Sequence, residues 1–226
     1  MTQLHVVRVF LGPGGTAGNL LGVFVDGAAI PPERRLIVTA ELGFSETVFV
    51  DDVATGRIAI FVPTAEVPFA GHPIVGTAWL LAEVGRPTSV LRPPAGDVPT
   101  WSDDGLRWIR ARPVWVDYPV LPRFAQYATA TEVDALPGHS TEPWLYAWAW
   151  EDEAAGRLRS RSFPTWAGII EDEASGAAAV LMGDRLGRSL TIRQGMGSEI
   201  RVRPSTDGTV EIGGRCALDG LREFSA

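Results

Sequence analysis

Short apolar runs alternate with glycine-rich and polar segments along the first half of the chain. Runs with a period of two predict β-strands, and the glycine-rich segment between the first two predicts a loop. Leu36, Ile37 and Ala40 recur at helical spacing between Pro32 and Gly43, which suit a helix start and a C-cap. The pattern predicts strands at 3–10 and 20–26, a helix at 32–42, strands at 47–50 and 57–62, and a helix at 74–84.

The second half repeats this plan, with predicted strands at 144–150 and 157–163 and a helix near 174–186. Two alanine- and glycine-rich helix starts could resemble each other by chance, but we favour an internal duplication. Two helix N-termini that face one cleft would bind an anion such as a carboxylate. An offset of 100 residues aligns Gly76 with Gly176, Ala78 with Ala178, Leu81 with Leu181 and His72 with Asp172.

The boundary between the halves is expected in the Pro/Arg-rich stretch from Arg86 to Pro99, or in its extension to Pro113. We therefore expect an N-terminal half-domain at 1–105, which residues 218–226 could complete. The C-terminal half-domain is then expected at 106–217.

Composition and charge exclude several classes of protein. A chain of 226 residues with 46% hydrophobic content can bury a core. Its formal charge of −7 argues against binding of nucleic acid, which needs clustered basic residues. The apolar runs are too short for a membrane span and no signal pattern precedes them, so we expect a cytoplasmic protein.

All 20 residues of the Lys+Arg count are arginines, so enzymes that need a lysine amine, such as Schiff-base aldolases, are excluded. The one cysteine, Cys216, cannot form an internal disulfide or a pair of catalytic thiols. The three histidines, His5, His72 and His139, lack metal-ligand spacing, so we expect no metal site.

Three polar residues are candidates for acid–base chemistry, and each also has a structural interpretation. Glu46 lies between an aromatic residue and a strand, where burial would raise its pKa, although such a glutamate is usually exposed. His72 precedes a helix whose dipole would keep its ring neutral, yet it could simply be a buried or capping residue. Asp172 could serve only as a helix N-cap.

Several separated motifs resemble those of the phenazine-biosynthesis (PhzF-like) family, which has the diaminopimelate-epimerase fold. The first-half motifs are Gly18-Asn19, the segment 42–47 (LGFSET) and above all the segment 68–78 (PFAGHPIVGTA). In the second half, 171–178 (EDEASGAA) is similar to the family element Glu-Asp-Pro-x-Thr-Gly-Ser-Ala, and Gln194-Gly195 is similar to a later Gln-Gly pair.

The resemblance implies an α+β fold of two pseudo-symmetric halves, each a curled, mostly antiparallel sheet around a central helix, with the active site between them. It implies a cofactor-free isomerase that moves a proton on a small, carboxylate-bearing metabolite, and it implies a homodimer. The implied catalytic residues are Glu46 as general acid/base with His72 and Asp172. The implied substrate-binding residues are Asn19, Gly71, Gly76, Ser175, Gly176, Ala177 and Gln194.

The chain departs from the family pattern at the second-half element. Ala177 replaces a serine, Ser175 a threonine and Glu173 a proline. The missing hydroxyl at Ala177 leaves open a catalytically inactive relative that binds a metabolite or a protein. An amino-acid epimerase is a weaker alternative, because the two-base enzymes of this fold use two thiols and only Cys216 is present.

Tryptophans at alternate positions in 144–150 (WLYAWAW) predict a strand with one aromatic face. We expect this face to pack in the core or at a dimer interface. A pocket that stacks on an aromatic substrate is the alternative.

Overall fold

The alternating apolar runs form the expected strands in the computed structural model, which describes residues 2–224. Positions 1 and 225–226 of the expected half-domains lie outside the described residues. The strands are β1 (Thr2–Leu11), β2 (Asn19–Phe24), β3 (Glu46–Asp52), β4 (Arg57–Val62), β5 (Ala65–Val67), β6 (Val90–Leu91), β7 (Val98–Asp103), β8 (Leu106–Ala111), β9 (Arg123–Gln126), β10 (Leu145–Asp152), β11 (Arg157–Phe163), β12 (Leu190–Gln194), β13 (Ser198–Pro204) and β14 (Val210–Phe224). The helices are α1 (Pro32–Leu42), α2 (Gly71–Glu83), α3 (Ala130–Asp134) and α4 (Gly176–Leu186).

The strands form one continuous, mostly antiparallel sheet in the order β5-β4-β3-β2-β1-β14-β13-β12-β11-β10-β9, and β8, β7 and β6 branch from β14. Three of the pairs are parallel: β2 with β3, β11 with β12, and β9 with β10. The sheet curls around two central helices, α2 and α4. The chain thus has the α+β architecture that its sequence predicts.

The last strand connects the two ends of the chain. Residues 210–214 of β14 pair with β8, and residues 215–224 pair with β1. Residues 218–224 lie within this second segment, and we propose that they complete the N-terminal half-domain, with the boundary between the halves at 105/106.

The central helices are apolar on nearly all sides, as expected for helices that are surrounded by sheet. In α2 every residue from Gly71 to Ala78 is buried, and α4 is buried from Gly176 to Val180. Gly76 allows α2 to approach the sheet, because a Cβ there would lie 2.6 Å from Val9 and 2.7 Å from Leu21.

The alignment of the halves by 100 residues holds for the hairpins but is wrong for the helices. Strands β4 and β11 begin at residues 57 and 157, whereas α2 and α4 begin at 71 and 176. The stretch from the start of β11 to the start of α4 is therefore five residues longer than the stretch from β4 to α2. It includes the turn at Thr165–Ala167 and the residue Asp172. His72 lies inside the first turn of its helix, whereas Asp172 precedes its helix, so the two are not equivalent.

The true counterparts at the helix starts are Gly71 and Gly176, which lie against each other. A Cβ on Gly71 would be 2.7 Å from the Gly176 carbonyl carbon, and a Cβ on Gly176 would be 2.6 Å from the His72 backbone nitrogen. No side chain fits at this contact. The two helix N-termini consequently meet at one point between the halves.

No helix within residues 2–224 has both the length and the apolar character needed to cross a membrane.

Adding a methyl group at the contact of the helix starts should force them apart. We expect Gly176→Ala to lower the free energy of unfolding by about 1–3 kcal/mol, the usual cost of overpacking. Gly138→Ala is the matched control, because a Cβ at Gly138 has nothing within 4 Å. Urea denaturation of both variants measures this, and equal stabilities would show that the helix starts can separate freely.

Candidate active site

Glu46 is the first residue of β3. This strand follows helix α1 and its C-cap, Gly43, along the chain. The carboxyl is almost fully buried, with 8% of the residue exposed. Its Oε2 lies 3.3 Å from Nδ1 of His72 but has no hydrogen-bond partner in the described structure. The oxygen is therefore free to accept a proton from a bound molecule.

His72 occupies the first turn of α2 and is 1% exposed. Its backbone is fixed between Gly71, which touches the other helix, and Pro73, which has no N–H to pair and suits a helix start. Nε2 of the ring has no hydrogen-bond partner in the described structure. Both Glu46 and His72 thus present an unpaired polar atom in a buried place, where such atoms are costly unless a ligand uses them.

Asp172 approaches from the other half of the chain and is held by several hydrogen bonds. The Asn19 amide donates to its Oδ1 at 2.6 Å, and the Ser175 hydroxyl donates to its Oδ2. The Gln194 amide donates to the Asp172 carbonyl at 2.9 Å and to Ser175 Oγ at 3.1 Å. The backbone N–H of Asp172 donates to Ser162 of β11 at 2.8 Å. The carboxylate is therefore fixed in position and in rotamer.

Burial shifts the pKa of each candidate group in the direction that favours its neutral form. It raises the pKa of Glu46 to about 7, which the adjacent Ser45 hydroxyl partly opposes. It raises the pKa of Asp172 to about 6, and the nearby Glu46 carboxylate raises it further. It lowers the pKa of His72 to about 4, against the attraction of Asp172 and the Leu20 carbonyl. At neutral pH the imidazole is therefore uncharged, and Glu46 is present in both its neutral and its ionised form.

A small cavity of about 30 Å³ lies between these three residues. Gly71 and Gly176 also line it, so it lies at the N-termini of both central helices, where unpaired N–H groups and the helix dipoles favour an anion. A larger, open groove of about 720 Å³ runs outside it. Ile169 and Asp172 line both spaces, so the groove reaches the cavity at these two residues.

Three aromatic rings form a second wall of the cavity: Tyr118, Trp144 and Trp166. Tyr118 stacks on Trp144 with ring centroids 5.7 Å apart and lies 5.4 Å from Trp166. The Tyr118 hydroxyl donates to the carbonyl of Phe69, just before α2. Burial and the nearby carboxylates hold the pKa of Tyr118 well above its usual range. The ring wall thus stays neutral.

The predicted binding residues divide into those that line the cavity and those that support it. Gly71, Ser175, Gly176 and Ala177 line it. Gln194 is fully buried behind Asp172, and Asn19 lines the groove while it holds Asp172. Gly76 lines neither the cavity nor the groove. It packs against the sheet, away from the other predicted binding residues.

Tyr118 and Trp166 are absent from the sequence-based site. Tyr118 lies in a proline-rich connection without periodicity, so no pattern indicates its direction. Trp144 was expected in the core or at an interface, and the structure places it at the edge of the core and in the cavity wall.

Within residues 2–224 no group of three or more His, Cys, Asp or Glu side chains is arranged to hold a metal ion. Cys216 lies in β14 opposite Val9 of β1 and does not line the cavity.

Solved structures share this fold over the whole chain. A phenazine biosynthesis protein of the PhzF family from Bacillus anthracis superposes with a TM-score of 0.80 at 17% identity, covering 100% of this chain and 99% of the other. A predicted epimerase from Pseudomonas aeruginosa gives a TM-score of 0.74 at 20% identity, with full coverage of both chains.

Sequence comparison gives the family. The trans-2,3-dihydro-3-hydroxyanthranilate isomerase of Pseudomonas fluorescens is 29% identical over 221 residues, which cover 81% of this chain and 79% of the relative. The enzyme of the same name from Pseudomonas chlororaphis is 28% identical with the same coverage. The model of the phenazine biosynthesis-like proteins matches residues 13–142, more than half of the chain. That match includes Glu46 and His72, and with the shared fold it shows that the chain belongs to the phenazine biosynthesis-like (PhzF-like) family of isomerases.

Proposed function

We propose that this enzyme moves a proton on a small, cyclic, unsaturated carboxylate, with Glu46 as the general acid/base and without a metal or an organic cofactor. One observation carries the proposal. Two buried carboxyl groups and a neutral imidazole, contributed by both halves of the chain, surround a single cavity at the meeting point of two helix N-termini.

In the proposed reaction the ionised Glu46 takes a proton from a ring carbon. The electron pair of that C–H bond enters the conjugated system, and the double bond shifts. Protonated Glu46 then returns the proton to another carbon of the same system. A pKa of about 7 suits this residue to both steps at neutral pH.

His72 and Asp172 have complementary roles in this proposal. Neutral His72 contacts Glu46 and keeps a free ring nitrogen toward a bound molecule. Asp172, fixed by Asn19 and Ser175, accepts a hydrogen bond from a polar substituent of the substrate and so orients the ring. Orientation of this kind accounts for a large part of the rate in a reaction that needs little more than geometry.

The substrate carboxylate would bind at the helix starts, near Gly71 and Gly176, where the backbone N–H groups supply donors without any cation. The aromatic wall supports a planar ring, because Tyr118, Trp144 and Trp166 offer π-faces to it. The two relatives that match most of the chain are named for a ring carboxylate of this type.

At about 30 Å³ the cavity is too small for such a substrate, since ligand pockets usually measure roughly 300–1,000 Å³. We infer that the substrate enters from the groove when Ile169 moves, and that reclosure excludes water.

A homodimer and a cytoplasmic location remain predictions. Light scattering would test the homodimer.

Deuterium transfer tests the reaction directly. With trans-2,3-dihydro-3-hydroxyanthranilate in D₂O, we expect the wild type to convert the substrate, and deuterium to enter the ring to the extent that protonated Glu46 exchanges with solvent before it returns the proton. Glu46→Gln should lower the rate at least about 100-fold, because general acid/base catalysis contributes that much. Proton NMR measures both quantities, and Glu66→Gln, a change at an exposed glutamate, is the control.

The outcomes separate the alternatives. Conversion at equal rates by the wild type and Glu46→Gln would contradict the role of Glu46. Binding without conversion by either protein would favour an inactive, metabolite-binding relative, consistent with the alanine at 177.

Stability should depend on pH through Glu46 even without a substrate. Its pKa is about 7 in the folded protein against an ordinary value of 4.5. The folded state therefore holds the proton more tightly, and the stability from this group is present at low pH and lost as pH rises through about 7. The shift corresponds to about 3 kcal/mol at most.

We accordingly expect Glu46→Gln to be more stable than the wild type at pH 8, by about 1–3 kcal/mol, and nearly equal to it at pH 4. Urea denaturation at the two pH values measures the difference. Glu66→Gln should change stability by less than about 0.5 kcal/mol at both. A pH-independent effect of Glu46→Gln would show that the carboxyl is not desolvated.

The aromatic wall should contribute mainly to substrate binding. We expect Trp166→Leu to raise KM for the ring substrate roughly 2- to 10-fold with a smaller change in kcat, since ring contacts are worth about 0.5–1.5 kcal/mol. Trp150→Leu is the control, because Trp150 packs on Trp148 outside the cavity. An unchanged KM in Trp166→Leu would contradict a role of Trp166 in stacking on the substrate ring.

A further inference from the structure

Glu173 occupies the place of a proline in the family element, directly after Asp172, and its side chain makes contacts that a proline could not make. Its carboxylate points away from the cavity to the turn between β12 and β13. Both of its oxygens accept the backbone N–H of Met196, at 2.9 and 2.8 Å, and one accepts the hydroxyl of Ser198 at 2.7 Å.

The turn is shaped around this carboxylate. Gly195 has a φ of 56°, a conformation that favours glycine. A Cβ on Gly195 would lie 2.1 Å from Oε2 of Glu173. Any other residue at this position would displace the glutamate.

The contacts continue from Ser198 into the first half of the chain. Ser198 is fully buried, and its hydroxyl accepts the backbone N–H of Gly18 at 2.9 Å. The Ser198 hydroxyl has one proton, which it donates to Glu173. The glutamate therefore orients the oxygen lone pair that accepts the Gly18 N–H. The residue after Gly18 is Asn19, whose amide donates to Asp172 at 2.6 Å and to the Ala174 carbonyl at 3.2 Å.

These contacts form a closed ring around the candidate aspartate. Starting at Asp172, the ring passes through Glu173, Ser198, Gly18 and Asn19 and returns to Asp172. It crosses between the N-terminal loop and the second half twice, at Gly18–Ser198 and at Asn19–Asp172. We propose that Glu173 is a positioning residue, which fixes Asn19, and through it Asp172, by holding the Ser198 hydroxyl.

This proposal rests on the proposed function for its kinetic effect, but not for its structural one. Glu173 touches neither the cavity nor the reacting atoms, since it lines only the outer spaces. Its loss should therefore disturb the placement of Asp172 while Glu46 and the ring wall stay in place. The kinetic signature is a lower kcat with little change in KM, because the binding surfaces persist.

The test compares Glu173→Ala, Glu173→Gln and Ser198→Ala by two measurements. The first, which needs no substrate, is NMR of the Gly18 backbone amide and the Asn19 side-chain amide. We expect faster hydrogen exchange at Gly18 and a shifted Asn19 signal in Glu173→Ala and Ser198→Ala. Glu173→Gln keeps an acceptor oxygen and should restore most of both signals.

The second measurement is turnover. We expect kcat to fall roughly 10- to 100-fold in Glu173→Ala, the cost of a small misplacement near the reacting centre. Adding Ser198→Ala to it should have little further effect, because both changes break one chain of contacts. Glu199→Gln is the control, since Glu199 follows Ser198 directly but pairs with Arg201.

The outcomes distinguish the two proposals. Unchanged Gly18 and Asn19 signals in Glu173→Ala would overturn the positioning role, whatever the activity. Changed signals with an unchanged kcat in an active enzyme would also overturn it. If the wild type turns over no substrate, the proposed function fails, and the NMR measurement still decides whether Glu173 holds Asn19.

Discussion

The contact between the backbones of Gly71 and Gly176 is the constraint on which the site depends. It brings the N-termini of both central helices to one point, where neither helix has a side chain to separate them. His72 follows one glycine, and Asp172 precedes the other by four residues. Because Glu46 enters from the sheet beside His72, the three groups line one small cavity. Burial then shifts the pKa of each group so that its neutral form is favoured.

The sequence predicts which polar residues line this cavity better than it predicts the arrangement around them. Alternating apolar runs and the Gly43 cap predict β1 to β4 and the two helices of the first half, because local periodicity and capping decide them. They do not predict the short strands β5 and β6, or β7. The segment 68–78 places His72, since it carries a helix start that the family motif also marks. The helix itself begins three residues before its predicted start, so the alignment of Gly76 with Gly176 paired a packing glycine with a helix-start glycine. Hydrophobic periodicity does not reveal the length of an irregular segment. It therefore could not predict that the irregular segment before α4 is longer than the one before α2.

What could not be predicted is the part that arises from long-range contact. Trp166 meets Trp144 through the pairing of β10 with β11, which sets Leu145 opposite Phe163. Tyr118 reaches both rings from an irregular connection, and nothing in the composition of that connection indicates a direction. The bond between Gly18 and Ser198 joins residues 180 positions apart. Such contacts depend on the register of β1, β14 and β13, which a single sequence does not reveal.

The departures from the family pattern acquire a physical meaning in the folded chain. Ala177 lines the cavity, so the missing hydroxyl changes what a substrate meets, whereas Glu173 lies behind the aspartate and changes what holds it. A proline at 173 would stiffen the backbone next to Asp172 by fixing φ, and the glutamate replaces that local restraint by hydrogen bonds to another part of the chain. The two kinds of restraint differ in one respect: a fixed φ acts within one half, whereas the bonds of Glu173 also tie Asp172 to the loop at Gly18. In this chain the position of the aspartate therefore depends on contacts between the second half and the loop at Gly18 and Asn19.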